Sequence, residues 1–357
     1  MTARRARGYG GGVTRGIDAE GMDAVGAARC VLWRDAEVGL TAVLVIDDCT
    51  LGPAAGGVRT RGYPDVAAAL AEAAGLAQAM TRKCALAGLA AGGAKAVVIA
   101  GPGLDRARAF ARLGEFVAEL GGLFRTAGDL GTTAEDLAAM ATTCPYVHVE
   151  ERGLVEAVAR GLVGCVTACA ERRGRTLGGL RVAVQGCGAI GGAVARALHA
   201  AGAALTIADI DEARARRLAD ELGARVVAAD MVLLTEVDIV APCAIGGVIT
   251  PTVAAELRAW AVCGAANNIL ASRAAAAVLG GRGVLHVPDE VASAGAVIEG
   301  IGRSVMGLAD RTPLIDALAD TARALLAEAE ATGELPVVLA ERRARDTIRR
   351  GRSARAR

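Results

Sequence analysis

Apolar and polar positions alternate along the chain in blocks that predict strands and helices in turn. Residues 42–46 and 96–99 are short runs of Ala, Val, Leu and Ile, which is typical of buried strands. A helix is predicted to begin after Pro64, with Asp65 as its N-cap. Its apolar positions recur at helical spacing on one face: Val66, Leu70, Ala73, Ala77 and Met80. This alternation of strand and helix predicts an α/β fold.

A second strand–helix–strand pattern begins near Arg181. Residues 181–185 have a buried-strand pattern, a glycine-rich segment follows, and an alanine-rich helix is predicted to run to about His199. Residues 204–208 predict the next strand, and Asp209 follows it, 23 residues after the first glycine. This combination is the dinucleotide-binding fingerprint, in which glycines let the backbone approach a pyrophosphate at a helix N-terminus. The predicted cofactor-binding residues of this segment are Gly186, Cys187, Gly188, Ala189, Ile190 and Gly191.

The acid at the end of the second strand predicts which cofactor binds. A carboxylate at the position of Asp209 binds the ribose hydroxyls and repels a 2′-phosphate, so NAD is predicted rather than NADP. Two alternatives stay open. Asp209 is also suited to cap the next helix, and the nearby Arg214 is suited to accept NADP.

The order of these patterns predicts two domains separated by a cleft. The chain has 357 residues, which is long enough for two full cores. Because the cofactor unit lies in the second half, residues 1–150 are predicted to bind the substrate and residues 151–312 the cofactor, with the active site between them. Residues 1–16 contain several arginines and a run of three glycines without any apolar period, and are predicted to be disordered.

Composition excludes several classes of protein. The 40 Lys and Arg residues against 39 Asp and Glu give a formal net charge of +1, which predicts no general attraction to nucleic acid or to an anionic membrane. Charges interrupt every apolar run before the roughly 18 residues that a transmembrane helix needs. No signal-peptide core follows the N-terminal arginines either, so a cytoplasmic location is predicted.

Cysteine and histidine are not arranged for metal binding. The chain has nine cysteines without a CxxC pair and only three histidines, so we expect neither a zinc site nor a disulfide framework. The cysteines are predicted to be small buried hydrophobic residues.

Two lysines are the most specific chemical signal in the chain. Lys83 and Lys95 lie in a run of Ala, Gly and Leu that carries almost no other charge. An ammonium group there must be desolvated or paired, and desolvation lowers the pKa of a lysine toward the range of a base. A solvated position at the end of an element is the simpler alternative for either lysine. A phosphate-binding P-loop is excluded, because Ala96 follows Lys95 where such a loop needs Ser or Thr.

At these motifs the chain resembles the Glu/Leu/Phe/Val dehydrogenase family of NAD(P)-dependent amino-acid dehydrogenases, most of all its leucine, valine and phenylalanine members. The resemblance extends from about Cys30 to Ile348, and implies a homo-oligomer in which residues 313–357 form helices that pack back on the first domain. The segments that carry it are residues 52–59, 80–95, 126–133, 238–244, 264–268 and 288–298.

The resemblance implies an activity and a role for each lysine. Lys83 is expected to hold the substrate carboxylate beside the backbone of Gly56 and Gly57, and Lys95 to be the base that activates water. Asp129 is expected to exchange protons with the substrate nitrogen while a hydride passes from Cα to the nicotinamide. The expected reaction is oxidative deamination of a branched-chain or aromatic L-amino acid to the 2-oxo acid and ammonia, or its reverse.

The resemblance also assigns residues around this centre. Further substrate-binding residues are implied to be Ala55, Ala127, Asn268, Val297 and Gly300. Further cofactor-binding residues are implied to be Cys243, Ala244 and Asn267. The residue types suit the reaction, since an amino acid needs one fixed cation for its carboxylate, one neutral base and one carboxylate near its ammonium group.

Five positions depart from the family pattern. Glu156 lies in a segment where relatives usually place a threonine near the nicotinamide, and Ser293 stands where they have asparagine. Ala55 and Gly300 stand where branched-chain enzymes usually carry leucine and valine, and Glu299 replaces a smaller polar residue. The first two changes predict an altered placement of the nicotinamide, whereas the loss of the leucine and valine side chains at Ala55 and Gly300 predicts a larger pocket for the substrate side chain.

Alternative interpretations come from different classes of protein. Malic-enzyme-like and folate dehydrogenases also pair a substrate domain with a dinucleotide-binding unit, although a malic-type enzyme requires a compact acid cluster that the sequence lacks. A catalytically degenerate relative would act as a cofactor- or amino-acid-binding regulator. At a smaller scale, Asn267 and Asn268 are also typical of a turn after an apolar strand.

Overall fold

The computed structural model describes residues 29–150 and 152–355, so the segment 1–16 that was predicted to be disordered lies outside the described residues. The first domain is built on a five-stranded sheet with strand order β1-β2-β4-β3-β5. Strand β2 runs antiparallel to β1 and β4, whereas β3 runs parallel to β4 and β5. The strands are β1 (Arg29–Asp35), β2 (Leu40–Asp48), β3 (Ala54–Arg61), β4 (Gly92–Ile99) and β5 (Phe124–Gly128).

Helices cover this sheet, and the first of them leads into the cleft. They are α1 (Val66–Leu86), α2 (Arg106–Glu119) and α3 (Ala134–Ala141). The side chain of Asp65 accepts a hydrogen bond from the backbone N of Ala68 at 2.8 Å, which confirms the predicted N-cap of α1. Leu70, Ala73 and Ala77 are buried against the sheet, so the polar end of the helix carries Lys83 to the cleft.

The second domain has a six-stranded parallel sheet with the order β11-β10-β9-β6-β7-β8. Its strands are β6 (Arg181–Gln185), β7 (Ala204–Ala208), β8 (Arg225–Val226), β9 (Ile239–Pro242), β10 (Ala261–Val262) and β11 (Leu285–His286). Its helices are α4 (Leu154–Glu171), α5 (Ala189–Ala200), α6 (Glu212–Leu222), α7 (Pro251–Glu256), α8 (Arg273–Gly281), α9 (Asp289–Ala292) and α10 (Gly295–Ser304), with a 3₁₀ turn at Val232–Leu234. This strand order is that of a Rossmann fold, as the fingerprint predicted.

The turn between β6 and α5 depends on glycine at two positions. Gly186 has φ +94°, and a Cβ there would lie 2.8 Å from the Cβ of Ala244. A Cβ on Gly191 would lie 2.0 Å from the carbonyl oxygen of Gly186. Any larger residue would push the helix away from the strand, so these glycines set the close approach of the two elements.

Two long helices complete the chain, α11 (Thr312–Thr332) and α12 (Pro336–Arg355). Helix α11 packs mainly against α4, while α12 returns to the first domain and packs against α1. There Arg352 lies 3.5 Å from Asp48, and Gly351 faces Leu51. The chain therefore crosses the cleft twice.

Within residues 29–150 and 152–355, no helix is both long and apolar enough to cross a membrane. The same residues contain no group of three or more His, Cys, Asp or Glu side chains that is arranged to hold a metal ion.

Candidate active site

A cavity of about 490 Å³ lies in the cleft, with walls from both domains. All the residues that were predicted to bind the substrate or to catalyse the reaction line it: Ala55, Gly56, Gly57, Lys83, Lys95, Ala127, Asp129, Asn268, Val297 and Gly300. Asn267, which was assigned to the cofactor, lines the same cavity. Residues far apart in sequence thus converge because β3 lies between β4 and β5 in the first sheet and residues of the second domain line the same cavity.

Lys95 and Asp129 form a buried ion pair. Lys95 is only 6% exposed on β4, and its Nζ lies 2.8 Å from Oδ2 of Asp129, the residue after β5. Arg59 donates from Nε to the same oxygen at 2.7 Å. Arg59 is itself fixed by Glu72 of α1, whose Oε1 lies 2.5 Å from Nη1. The carboxylate therefore has two cationic donors on one oxygen.

Burial and charge act in opposite directions at this pair. Burial lowers the pKa of Lys95, the Asp129 carboxylate offsets this in part, and the charges of Arg59 and Lys83 lower the pKa further. Burial alone would raise the pKa of Asp129, but Lys95 and Arg59 hold that pKa below its ordinary value. The arrangement favours a lysine that gives up its proton easily beside a carboxylate that stays ionised.

Arg59 is a site residue to which the sequence analysis gave no role, although it lies in one of the family segments. A signal was present, because Arg59 follows Gly57 by two positions on the same strand and so faces the same side of the sheet. A charged residue on the face of a strand that also presents a ligand-binding glycine indicates a place in the site.

Lys83 is held by the opposite domain. Its Nζ donates to Oδ1 of Asn267 at 2.7 Å and to Oγ of Ser293 at 2.9 Å. Burial lowers the pKa of Lys83, and the carboxylates of Asp289 and Glu290 act against that shift. Ser293, which stands where relatives have asparagine, therefore accepts a hydrogen bond from Lys83.

Two of the residues that line the cavity, Ala55 and Gly300, are small. Ala55 of β3 pairs with Arg125 of β5 in the ladder. A Cβ added to Gly300 would lie 3.8 Å from Cδ2 of His148. A valine at position 300 would thus extend into the space next to His148, which glycine leaves open.

Two of the family departures do not act on the cavity directly. Glu299 does not line it but pairs with Arg311, whose Nε lies 3.0 Å from Oε2 of Glu299. Glu156 is exposed on the first turn of α4, where its charge complements the helix dipole.

The glycine-rich turn of the second domain fits a dinucleotide. A Cβ on Gly188 would meet no atom within 4 Å, so the N-terminus of α5 is open to a phosphate group. Asp209 stands at the end of β7, where its oxygens accept hydrogen bonds from the backbone N of Cys187 at 2.7 Å and of Asp211 at 2.8 Å. Carboxylate oxygens have further lone pairs, so this carboxylate is still able to accept bonds from ribose hydroxyls.

The other predicted cofactor residues surround the same turn. Cys243 donates from its backbone N to the carbonyl oxygen of Gln185 at 2.8 Å, which places Ala244 directly over Gly186. Ile190 is partly exposed on α5, and Ile210 and Ile245 are 94% and 67% exposed beside Asp209 and Ala244 in the chain. Exposed apolar side chains next to a phosphate-binding turn are suited to pack against the flat base of a dinucleotide.

A parallel sheet that opens its nucleotide-binding end toward a cavity with a lysine–carboxylate pair defines a nicotinamide-dependent dehydrogenase of the two-domain type. Family profiles identify the group: residues 30–146 match the Glu/Leu/Phe/Val dehydrogenase dimerisation domain, and residues 205–301 match glutamate/leucine/phenylalanine/valine dehydrogenase. The chain belongs to the Glu/Leu/Phe/Val dehydrogenase family, and it is an amino-acid dehydrogenase.

Individual relatives agree with this assignment. The chain is 33% identical over 339 residues to leucine dehydrogenase of Bacillus cereus, which covers 90% of each chain. It is 34% identical over 352 residues to valine dehydrogenase of Streptomyces albus, covering 93% of this chain and 95% of that one. The crystal structure of L-tryptophan dehydrogenase from Nostoc punctiforme superposes with a TM-score of 0.83 at 31% identity, over 94% of this chain and 99% of that one. These comparisons give no support to the alternative that the protein is a catalytically degenerate relative acting as a regulator.

Proposed function

We propose that this protein oxidises an L-amino acid to the 2-oxo acid and ammonia with NAD as cofactor, or catalyses the reverse reaction. The observation that carries the proposal is the Lys95–Asp129 pair, 2.8 Å apart, in a cavity that Lys83 also lines. One buried amine, one carboxylate and one further cation are the groups that this reaction requires.

Lys83 binds the substrate carboxylate, beside the backbone of Gly56 and Gly57. A Cβ on Gly57 would lie 2.7 Å from the carbonyl oxygen of Gly128, so no side chain covers the strand at this point. Asn267 and Asn268 complete this end of the cavity, and Asn268 is fixed by a bond from its backbone N to Oδ2 of Asp289 at 2.8 Å.

Lys95 is the general base. Its lowered pKa lets the neutral amine take a proton from the water that attacks the imine carbon, and Asp129 exchanges protons with the substrate nitrogen. When bound, the nicotinamide accepts the hydride from Cα. Closure of the cleft excludes bulk water from the lysine–carboxylate pair, which strengthens each charge interaction there.

The preference for NAD rests on Asp209. Its carboxylate is ionised, since hydrogen bonds from Cys187 and Asp211 and the charge of Arg214 outweigh the effect of burial and lower its pKa. A 2′-phosphate would meet this charge at short range.

The accepted side chain is large. With Ala55 and Gly300 in the walls, a side chain of valine size would leave space unfilled, and each buried methylene contributes about 0.8 kcal/mol. We expect phenylalanine to be oxidised at least as well as valine.

The protein is proposed to be a homo-oligomer. The match of residues 30–146 to a dimerisation domain supports this, as does Leu32, which is 54% exposed on the edge strand β1. Light scattering after gel filtration measures the subunit number.

The test of the reaction is reduction of NAD⁺ with each of the twenty L-amino acids at alkaline pH, beside a panel of 2-oxo acids with ammonia and NADH. Activity with large apolar amino acids and with their oxo acids is expected. Absence of turnover in both directions contradicts the proposal, provided that the protein is folded by circular dichroism.

A further inference from the structure

A cation without a carboxylate partner lies at the far end of the substrate cavity. Arg125 of β5 lines the cavity, and within the described part of the chain it forms no ion pair. It precedes Asp129, the residue after β5, by four residues, which corresponds to ~13 Å of extended chain. Arg125 therefore lies well away from the Lys95–Asp129 pair, in the wall of the same cavity.

The surroundings of this arginine fix its orientation. Its guanidinium lies over the ring of Tyr146, 4.5 Å from the centroid. A Cβ added to Gly122 would lie 3.4 Å from Nη2, so the guanidinium also packs over this glycine. Its Nε is buried and has no hydrogen-bond acceptor among the residues that the structure describes.

Only small side chains separate the catalytic pair from Arg125 on the wall formed by β3 and β5. Ala55 is the ladder partner of Arg125, and Gly57 is the partner of Ala127 one step nearer to Asp129. Alternate residues of a strand share a face, so the side chains of this wall between Arg125 and Asp129 are no larger than a methyl group. A leucine at position 55 would narrow the cavity at the ladder partner of Arg125.

The guanidinium of Arg125 lines the cavity without a carboxylate partner among the described residues, and stacking on Tyr146 meets its charge only in part. An oxygen acceptor at the tip of a substrate side chain would compensate this charge. An apolar tip of the same length would displace water from the guanidinium without providing an acceptor.

We propose that Arg125 makes this enzyme select L-amino acids with a long side chain that ends in an oxygen acceptor. The inference rests on the proposed amino-acid oxidation and specifies the substrate class of the same cavity. It makes Arg125 a specificity-determining residue, distinct from the lysines and the carboxylate that act on the α-carbon.

Two matched substrate pairs test it in steady-state kinetics. L-Tyrosine and L-phenylalanine differ only in the terminal hydroxyl group of tyrosine, which is an uncharged acceptor. L-2-Aminoadipate and L-norleucine have side chains of equal carbon number that end in a carboxylate and a methyl group. The wild type is expected to have the higher kcat/KM for the oxygen-bearing member of at least one pair, and the pair that responds identifies whether the acceptor is charged.

The variants are Arg125→Met and Arg112→Met. Arg112 stacks on Phe116 at the same 4.5 Å but does not line the cavity, so it controls for the loss of an arginine–aromatic contact. Arg125→Met is expected to lower the ratio of kcat/KM values within the responding pair by about tenfold, as loss of a charged hydrogen bond predicts. The values for phenylalanine and norleucine should stay level or rise, which also shows that the variant is folded, and Arg112→Met should leave the ratios unchanged.

Preference of the wild type for the apolar member of both pairs, or ratios that Arg125→Met leaves unchanged, overturns the inference. If other amino acids are oxidised in those cases, the proposed function stands and only the role of Arg125 is lost. Failure to oxidise any L-amino acid overturns both.

Discussion

Lys83 and Lys95 are the only two lysines of the chain, among 40 lysine and arginine residues. Arginine supplies every other fixed positive side-chain charge, but it does not release its proton in proteins, whereas a buried lysine does. A lysine is therefore indispensable where a base is needed. At Lys83 the reason is size: its compact ammonium group lies between Oδ1 of Asn267 at 2.7 Å and Oγ of Ser293 at 2.9 Å.

Substitution by arginine separates the two roles. Lys95→Arg keeps the charge but cannot act as a base, so it should lower kcat by ~10²–10⁴-fold, as Lys95→Ala does, with little change in KM. Lys83→Arg should keep part of the affinity for the substrate carboxylate, whereas Lys83→Ala should mainly raise KM. Steady-state kinetics of the four variants measures this, and near-wild-type kcat in Lys95→Arg would exclude Lys95 as the base.

Arg59 is expected to set the pH dependence of the reaction. Its charge lowers the pKa of Lys95, so in Arg59→Gln that pKa should rise. Because the reaction needs neutral Lys95, the ascending limb of the kcat/KM profile should move to higher pH. Arg61→Gln is the matched control, since Arg61 lies on the same strand face but is 53% exposed. A profile that does not move in Arg59→Gln would show that Arg59 affects only the position of Asp129.

At the scale of elements, the turn from β6 to α5 and the end of β7 set the choice of cofactor. Asp209→Asn removes the charge and keeps an oxygen for one of the two backbone donors, so NADP⁺ should gain affinity relative to NAD⁺ by about tenfold or ~1.4 kcal/mol. Asp211→Asn, which alters the cap of α6, should leave the ratio unchanged. Fluorescence titration of both cofactors gives the dissociation constants, and tighter binding of NADP⁺ to the wild type would refute the preference.

Sequence patterns predicted those elements whose signals are local. The cap and apolar face of α1 and the β6-α5-β7 unit follow from residues less than about thirty positions apart. The strand order of the first sheet does not follow from local patterns, because β3 lies between β4 and β5 and pairs with strands that are distant in sequence. The partners of Lys83 lie 184 and 210 residues away, so only the fold brings them together. The roles of the site residues stay predictions for the kinetics above.

At the scale of the whole molecule, a buried histidine should limit stability in acid. His286 of β11 is 3% exposed, neither ring nitrogen has a hydrogen-bond partner among the described residues, and burial lowers its pKa to about 4 despite the charge of Glu290. An unfolded histidine has a pKa near 6.5, so between pH 6.5 and about 4 the unfolded state takes up a proton that the folded state does not. The free energy of unfolding is therefore unaffected by this histidine above pH 6.5 and decreases as the pH falls toward about 4. The loss amounts to about 3 kcal/mol.

His286→Leu should therefore flatten the dependence of unfolding free energy on pH between 6.5 and 4. Urea denaturation across this range measures it, with His199→Gln as the control because His199 is exposed on α5. An unchanged slope in His286→Leu would assign the acid sensitivity to other groups.

The two-domain division was predictable from the position of the fingerprint, but the path of the C-terminal helices was not. The resemblance implied that residues 313–357 pack on the first domain, and in the structure α12 does so while α11 packs mainly on α4. The boundaries at 150/151 and 312/313 stay predictions, since α12 belongs spatially to the first domain and by sequence follows the second.

The two lysines also make the enzyme a reporter of its own motion. An amine-selective reagent finds no other lysine side chain on this protein, and both are only 6% exposed in the cleft. Labelling of Lys83 requires that its bonds to Asn267 and Ser293 break, which separates the domains at that point. The rate at which Lys83 is labelled, followed by mass spectrometry of intact protein and peptides, therefore measures how often the cleft opens, without an introduced probe and without a background of surface lysines.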